Sequence, residues 1–449
     1  MFTPYGHTPD VVIARIAARS PQFDAVCASG DRPILVGSAA GHRREQVVLS
    51  ARGELLERVG NILAGRAAEA DAATVASYAE LRRKGVPALD PAESAPDGSA
   101  PPDTARTTRR LWVLGHLADS GEEIHVPAGA AFLQHRPPAG CAPGPGVGST
   151  GVAAHPDPDA AADHAAWEVL ERDLIRRSWY GPAAAPTPLP TGELPGPLAE
   201  LLRALDLTAT GLDLPAPSGT RCVVVCLHAA DGSGQTFGAR CGPDRAVSTL
   251  IEKAAYEALM VRWSMGSAVA VDTWDRWRGS GPPQTAVQHA LWAYHRQDSL
   301  RLWTDGTAAR SSGGAASMSG RLGSGSEWPG SGSGWASDSG SRSDSDSDSD
   351  SDSGSRSRSG FGAAGASTPA EQPARTPVGT VGAFGSRPGL AALSAHTGRD
   401  VVIVDTTAGP ARTRGTTVIR VVAPGARALP NGPSAERHFQ TVPGPHPFG

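Results

Sequence analysis

The sequence predicts an α/β (α+β) fold made of repeated strand-helix units, and three observations carry that expectation. Short, mostly β-branched runs at residues 34–36, 222–227, 401–404 and 417–422 read as strands, too brief for helices and flanked by turn formers. Three nine-residue segments superpose without gaps and have the composition of helices. Pro/Gly-rich breaks at 91–103, 136–148 and 181–197 separate the stretches of regular character.

Taken in order, the strand at 34–36 runs into a glycine-containing stretch, 37–41, read as its end. The first helical segment follows, Ser50-Ala-Arg-Gly-Glu54-Leu-Leu-Glu57-Arg58. Glycines at 148–151 stand before the second, His164-Ala-Ala-Trp-Glu168-Val-Leu-Glu171-Arg172. The strand at 222–227 and the glycines of 238–242 stand before the third, Lys253-Ala-Ala-Tyr-Glu257-Ala-Leu-Met260-Val261. Residues 311–368 break the pattern: Ser and Gly dominate, Ser-Asp alternates over 343–353, and Ser-Arg-Ser-Arg-Ser follows, with seven acidic residues against four Arg. Such a composition cannot bury enough apolar surface to offset chain entropy, so a solvated insertion in a loop is expected there. The strands at 401–404 and 417–422 come after it and are expected to return to the same core. The expected organisation is a core over 1–310, a disordered insertion over 311–368, and the rest of the core with a proline-rich tail over 369–449.

Composition excludes several classes of function. A chain of 449 residues with 39% hydrophobic content can bury one large core or two ordinary ones, more than a hormone, toxin or small adaptor needs. Charged residues are 19% and the net charge is -4, so there is no basic field to draw the chain onto nucleic acid or an anionic membrane. The five cysteines are scattered, without a C-x-x-C pair, which argues against a disulfide scaffold or a four-thiolate zinc site. No signal sequence is evident, and the longest apolar runs are far too short to span a bilayer. A cytoplasmic chain that binds neither nucleic acid nor membrane is expected.

The repeated segments carry the chemistry. Residues three and four apart share a helix face, so Glu54 lies beside Glu57, and Glu168 beside Glu171, at roughly 5–6 Å. Two carboxylates at that separation repel by about 3 kcal/mol at an effective dielectric of about 20, and a buried cluster therefore needs cations. For the first helix alone, ordinary amphipathicity accounts for the pattern: Ser50, Glu54, Glu57, Arg58 and Asn61 fall on one side and Leu55, Leu56, Val59, Ile62 and Leu63 on the other. The third helix does not fit that account, because Leu250, Met260 and Val261 flank Glu257 on its own face. The second is also imperfect, with Ile175 on the carboxylate side and Asp173 opposite. Lys253, one of only two lysines, stands four residues before Glu257 and either pairs with it or reaches a phosphate. Five glutamates with no His or Cys favour a hard cation, magnesium over zinc, of the kind that accompanies nucleotide phosphates.

This pattern resembles the YcaO superfamily. Ser50-x-x-x-Glu54-x-x-Glu57-Arg58 is similar to that family's first signature. Ser149-Thr150-Gly151-Val-Ala followed by Glu168-Val-Leu-Glu171-Arg172-Asp173 is similar to its second, and Lys253-x-x-x-Glu257 with Arg262 to its third. Lesser similarities are Ser77-Tyr78-Ala-Glu-Leu81, Leu89-Asp90-Pro91, Val126-Pro127-Ala128 and Val421-Val-Ala-Pro-Gly425. The resemblance implies an ATP-binding fold with Mg2+ held by Glu54, Glu57, Glu168, Glu171 and Glu257. Ser50, Arg58, Arg172 and Lys253 would contact phosphates or hold the glutamates in place. It further implies phosphorylation of a peptide amide oxygen, which turns a very poor leaving group into a good one.

The ending Pro443-Gly-Pro445-His-Pro447-Phe-Gly449 resembles the cyclodehydratase branch, which makes thiazolines and oxazolines from Cys, Ser and Thr of ribosomally synthesised precursor peptides. Alternating prolines fix φ and hold a tail extended, so the resemblance makes Pro445, Pro447 and the Gly449 carboxylate catalytic, positioning or deprotonating the substrate. The departures are Gly449 where relatives often have Pro, Met260 where Gln is frequent, and Ala40 and Arg43 near the first glycine turn. No leader-peptide-binding or E1-like domain is expected before the repeat, so a separate partner of that kind is implied, and a homo-oligomer is allowed. Within the family, a thioamide- or amidine-forming enzyme is the alternative; outside enzymes, a peptide-binding scaffold with a degenerate ATP site. Ala40 and Met260 favour the scaffold, and the five retained glutamates oppose it.

Overall fold

Every strand pair among the described residues is antiparallel, which puts the fold on the α+β side of the expectation. The computed structural model describes residues 1–4, 10–24, 34–93, 101–144, 147–181, 185–192, 194–278, 280–311, 387–429 and 445–448. The described residues belong to one unit, Met1–Gly314 with Thr380–Gly449. The insertion expected over 311–368 lies, after Ser311, outside them, as do Cys27 and Gly449.

The strands are β1 (Val12–Arg19), β2 (Ile34–Gly41), β3 (Val75–Ala76), β4 (Arg110–Leu117), β5 (Glu123–Pro127) and β6 (Val152–His155), then β7 (Thr187–Leu189), β8 (Leu207–Leu214), β9 (Thr220–Ala229), β10 (Thr236–Pro243), β11 (Val402–Asp405) and β12 (Thr417–Val422). They form three sheets: β1-β2, then β10-β9-β8-β7, and a third ordered β3-β4-β11-β12-β6 with β5 also on β4. The two strands after the insertion thus sit between β4 and β6, inside a sheet begun before it.

Burial explains the sequence of β9, an unbroken apolar run. Cys222, Val224 and Cys226 face one core and Val223, Val225 and Leu227 another, so the strand is covered on both faces and needs no polar alternation. The second core is filled from Val247–Met265, the third carboxylate helix, through Ile251, Ala254, Ala255, Ala258 and Leu259. The first carboxylate helix, Arg44–Asp71, covers β1 and β2 through Val47 and Ala51. The second, Pro158–Tyr180, is enclosed on nearly every side, which accounts for its weak amphipathicity. Its Asp173, 1% exposed, accepts hydrogen bonds from the Arg427 backbone at 3.0 Å and from His396 Nε2 at 2.6 Å.

Of the glycines read as strand ends, Gly41 closes β2 and Gly242 lies next to the end of β10, while the others lie elsewhere. Gly37 and Gly238 are inside β2 and β10, and their role is close approach of a helix. A Cβ on Gly37 would stand 2.2 Å from the Ala51 carbonyl oxygen, and one on Gly238 would stand 2.2 Å from that of Ala254. Ala51 and Ala254 occupy the same place, three residues before Glu54 and Glu257, so the two units pack alike. Gly151 precedes β6 with φ +80°, a conformation that favours glycine. No helix among the described residues is long and apolar enough to cross a membrane, and the four described cysteines are free thiols.

Candidate functional site

The three packed helices bring all five glutamates onto neighbouring strands. The first glutamate of each helix accepts from a backbone N–H at the start of its own unit: Glu54 from Ser38 at 2.5 Å, Glu168 from Gly151 at 3.0 Å, Glu257 from Ala239 at 3.2 Å. The second glutamate, one turn on, reaches across to the following unit. Glu57 accepts from Ala154 of β6 at 3.1 Å, and Glu171 from Cys241 of β10 at 3.0 Å. Met260 holds the equivalent place on the third helix, which packs against β2 of the first unit but lacks a carboxylate to reach across there.

Electrostatics tie the group together. Burial, then the Glu168 and Glu54 charges, push the Glu57 carboxyl up to about 8. Burial likewise raises Glu168 and Glu171, the latter helped by Glu257 and Glu168. Glu171 is 2% exposed and its Oε1 has no hydrogen-bond partner among the described residues. Such an orphaned buried carboxylate oxygen is costly unless a cation completes it.

The arginines supply part of the missing charge. Arg58 donates to Glu54 Oε1 and to the Val36 carbonyl, both at 2.5 Å, so it holds the glutamate in place. Arg172 stands 3.6 Å from both Glu171 and Glu257. Arg240 of β10 lies 3.7 Å from Glu257, and its pKa is raised by Glu257 first, then Glu171, Glu168 and Glu54. Arg420 of β12, 6% exposed, donates to the Gly148 carbonyl at 2.9 Å; burial pushes its pKa down to about 10 against the pull of Glu168.

Glu257 therefore pairs with Arg172 and Arg240 rather than with Lys253. Lys253 is exposed, as are Ser50 and His164, each four residues before the first glutamate of its helix. Partial desolvation of the ring by its neighbours, then His155 and Lys253, lower the His164 pKa, which places His164 and Lys253 in one neighbourhood. Arg240, Arg420 and His164 were missed by sequence reasoning. The signal for His164 was its offset, identical to those of Ser50 and Lys253; Arg420 stood out only as a lone charge in an apolar strand.

The proline-rich segment also meets this region. Pro445 is half-buried, while His446, Pro447 and Phe448 are buried. The Phe448 ring lies 5.9 Å from the Arg172 guanidinium and packs on Phe237 and Trp303. Gly449, the residue expected to carry the reactive carboxylate, lies outside the described residues.

Comparison with known proteins follows the same lines. Residues 38–321 match the family model described as YcaO cyclodehydratase, ATP- and Mg2+-binding. The chain belongs to the YcaO family. Its fold is similar to that of YcaO from Methanopyrus kandleri bound with AMPPCP and Mg2+, at 16% identity and a TM-score of 0.50 over 93% of this chain and 83% of that one. It is also similar to a heterocyclase in complex with substrate and cofactor, at 15% identity and a TM-score of 0.53, covering 92% of this chain and half of the heterocyclase. No curated protein matches.

ATP and Mg2+ are this YcaO family's cofactors, and the residues present fit them. The donors are carboxylate oxygens, one of them without a hydrogen bond, and burial first of all raises the pKa values of Glu57 and Glu171, so both gain from a nearby cation. Among the described residues no three side chains converge tightly enough to cage an ion alone. That is the ordinary arrangement for magnesium, which takes one or two carboxylates and completes its shell with phosphate oxygens and water.

Proposed function

We propose that this chain is an ATP-dependent cyclodehydratase. It converts Cys, Ser or Thr of a ribosomally synthesised precursor peptide to thiazoline or oxazoline in the cytoplasm, with the peptide delivered by a separate E1-like or leader-peptide-binding partner. The observation that carries the reading is the set of five repeat-borne glutamates, each oriented by a backbone N–H, with the buried Glu171 oxygen left for a cation.

When bound, Mg2+ and ATP supply the phosphoryl group that makes an amide oxygen expellable. Glu54, Glu57, Glu168, Glu171 and Glu257 hold the divalent ions, and the backbone N–H groups fix their rotamers beforehand, as outer partners do in metal sites. Arg58 orients Glu54, while Arg172 and Arg240 balance Glu257 and Glu171. Ser50, His164 and Lys253, at matching places on the exposed rim, contact phosphates. Pro445, Pro447 and Gly449 form the segment that positions the substrate or takes the nucleophile's proton. Atoms balance: the side-chain nucleophile bonds to the preceding amide carbon, two protons leave, and the amide oxygen departs as phosphate, so the peptide loses one water per ring.

The test combines chain, partner, precursor peptide and Mg2+-ATP, and follows peptide mass together with phosphate release. Loss of one water per ring in step with ATP turnover is expected. Turnover without that loss overturns the azoline assignment, and, in a parallel reaction supplied with sulfide, replacement of oxygen by sulfur assigns a thioamide instead.

A further inference from the structure

His289 lies on helix Ala286–His295, is fully buried, and is far in sequence from every residue of the carboxylate group. Its Nδ1 is 2.9 Å from the His446 carbonyl oxygen. A carbonyl only accepts, so this Nδ1 carries the proton. The two imidazoles stack, with centroids 3.9 Å apart and planes 6° from parallel. His446 Nδ1 in turn accepts from the Phe448 N–H at 3.3 Å, which gives the two rings opposite tautomers. On the other side, the His446 N–H donates at 3.2 Å to Tyr180 Oη, at the end of the helix that carries Glu168 and Glu171. Phe448 then ends against Arg172, the side chain 3.6 Å from both Glu171 and Glu257.

We propose that His289 is a positioning residue of the carboxylate site: it latches the 445–448 segment so that Phe448 holds Arg172 between Glu171 and Glu257. This rests on the reading of that site as the one that takes Mg2+ and nucleotide. A buried histidine with a merely structural role would affect overall stability; this one acts through a partner 157 residues away, whose next ring but one touches a site arginine. Burial keeps the His289 imidazole neutral, its pKa pushed down to about 4, so the stacked pair gains no charge from it.

The test uses the full chain and two substitutions. His289→Phe keeps a ring and removes the donor; His289→Asn keeps an N–H close to the position of Nδ1. Hydrogen exchange at the His446 and Phe448 amides reports the latch, and calorimetric binding of Mg2+-AMPPCP reports the site. His289→Phe is expected to speed exchange of those amides about tenfold, as loss of one buried hydrogen bond does, and to weaken Mg2+-AMPPCP severalfold, with His289→Asn restoring both. In a chain truncated after Gly444, His289→Phe is expected to change the affinity no further. Unchanged amide protection in His289→Phe overturns the latch, and an equal loss of affinity in the truncated chain overturns action through the segment. Should His289→Phe fail to fold, Phe448→Ala decides: unaltered Mg2+-AMPPCP affinity refutes the coupling through Arg172. Failure of the wild-type chain to bind Mg2+-AMPPCP refutes the reading of the site, while the exchange measurement still judges the latch.

Discussion

Raising the pH is expected to destabilise the metal-free protein, and Mg2+ with nucleotide to reverse the effect. Glu57 sets the magnitude. Its carboxyl is pushed from an ordinary 4.5 to about 8, so between those values the folded chain binds more protons than the unfolded one. Stability from this group is fully present below pH 4.5 and is lost as pH rises through 8. At 1.36 kcal/mol per pH unit the interval is worth at most about 5 kcal/mol, and partial solvent contact of the half-buried side chain reduces that to about 2–3 kcal/mol. Glu168 and Glu171 act in the same direction. Melting temperatures at pH 4.5 and 8.5, with and without Mg2+-AMPPCP, measure it, and for a chain of this size the Glu57 share is roughly 2–3 °C. Glu57→Gln keeps an acceptor for the Ala154 N–H and removes the titration, so its metal-free melting point is expected to depend less on pH. Parallel pH profiles for wild type and Glu57→Gln refute the buried-acid argument. Equal stabilisation by Mg2+-AMPPCP at both pH values refutes the metal role.

Two further outcomes follow from the geometry. Gly238→Ala drives a Cβ to 2.2 Å from the Ala254 oxygen and 2.6 Å from the Ala258 nitrogen; lifting the third helix is expected to cost about 1–3 kcal/mol of stability by denaturant titration, and to abolish Mg2+-AMPPCP binding by parting Glu257 from Ala239. Glu171→Gln removes a buried charge whose Oε1 lacks a hydrogen bond, so ATP turnover is expected to fall at least about a hundredfold, as when a group stabilising the transition state is removed, while the metal-free melting point at pH 8 stays level or rises.

How much of this was legible depended on whether the signal lay in one segment or between segments. The glutamates of the three helices were readable because they keep a constant offset within segments that superpose. The strand 222–227 was readable because burial on both faces leaves an unbroken apolar run, and 417–422 because β-branched residues dominate it around the single charge of Arg420. β4 and β8 were not, since His116 and Gly115 interrupt one and Thr and Gly residues dilute the other. β10 was hidden by Gly238 and Gly242, whose purpose is clearance for a helix from later in the chain. Arg240 and Arg420 escaped notice as site residues for the same reason: nothing near them in sequence says that β10 and β12 run beneath Glu257 and Glu168. The third helix also lies against a strand of another unit, β2, but carries Met260 where the first two carry the glutamate that reaches across.

Each carboxylate is oriented by a backbone N–H on a strand of its own or the following unit, so no unit builds a complete site and the three must be packed before the glutamates converge. Once packed, the backbone dipoles and the guanidinium groups of Arg58, Arg172, Arg240 and Arg420 stabilise the negative charge only in part. The raised pKa values of Glu57 and Glu171 register burial first, with neighbouring carboxylates adding to it. Packing of the three helices therefore holds the carboxylates together at a cost that a bound cation relieves. On the proposed metal role, affinity for divalent ions is then set by how firmly the helices lie on their strands, at Gly37, Gly151 and Gly238, as much as by the carboxylates themselves.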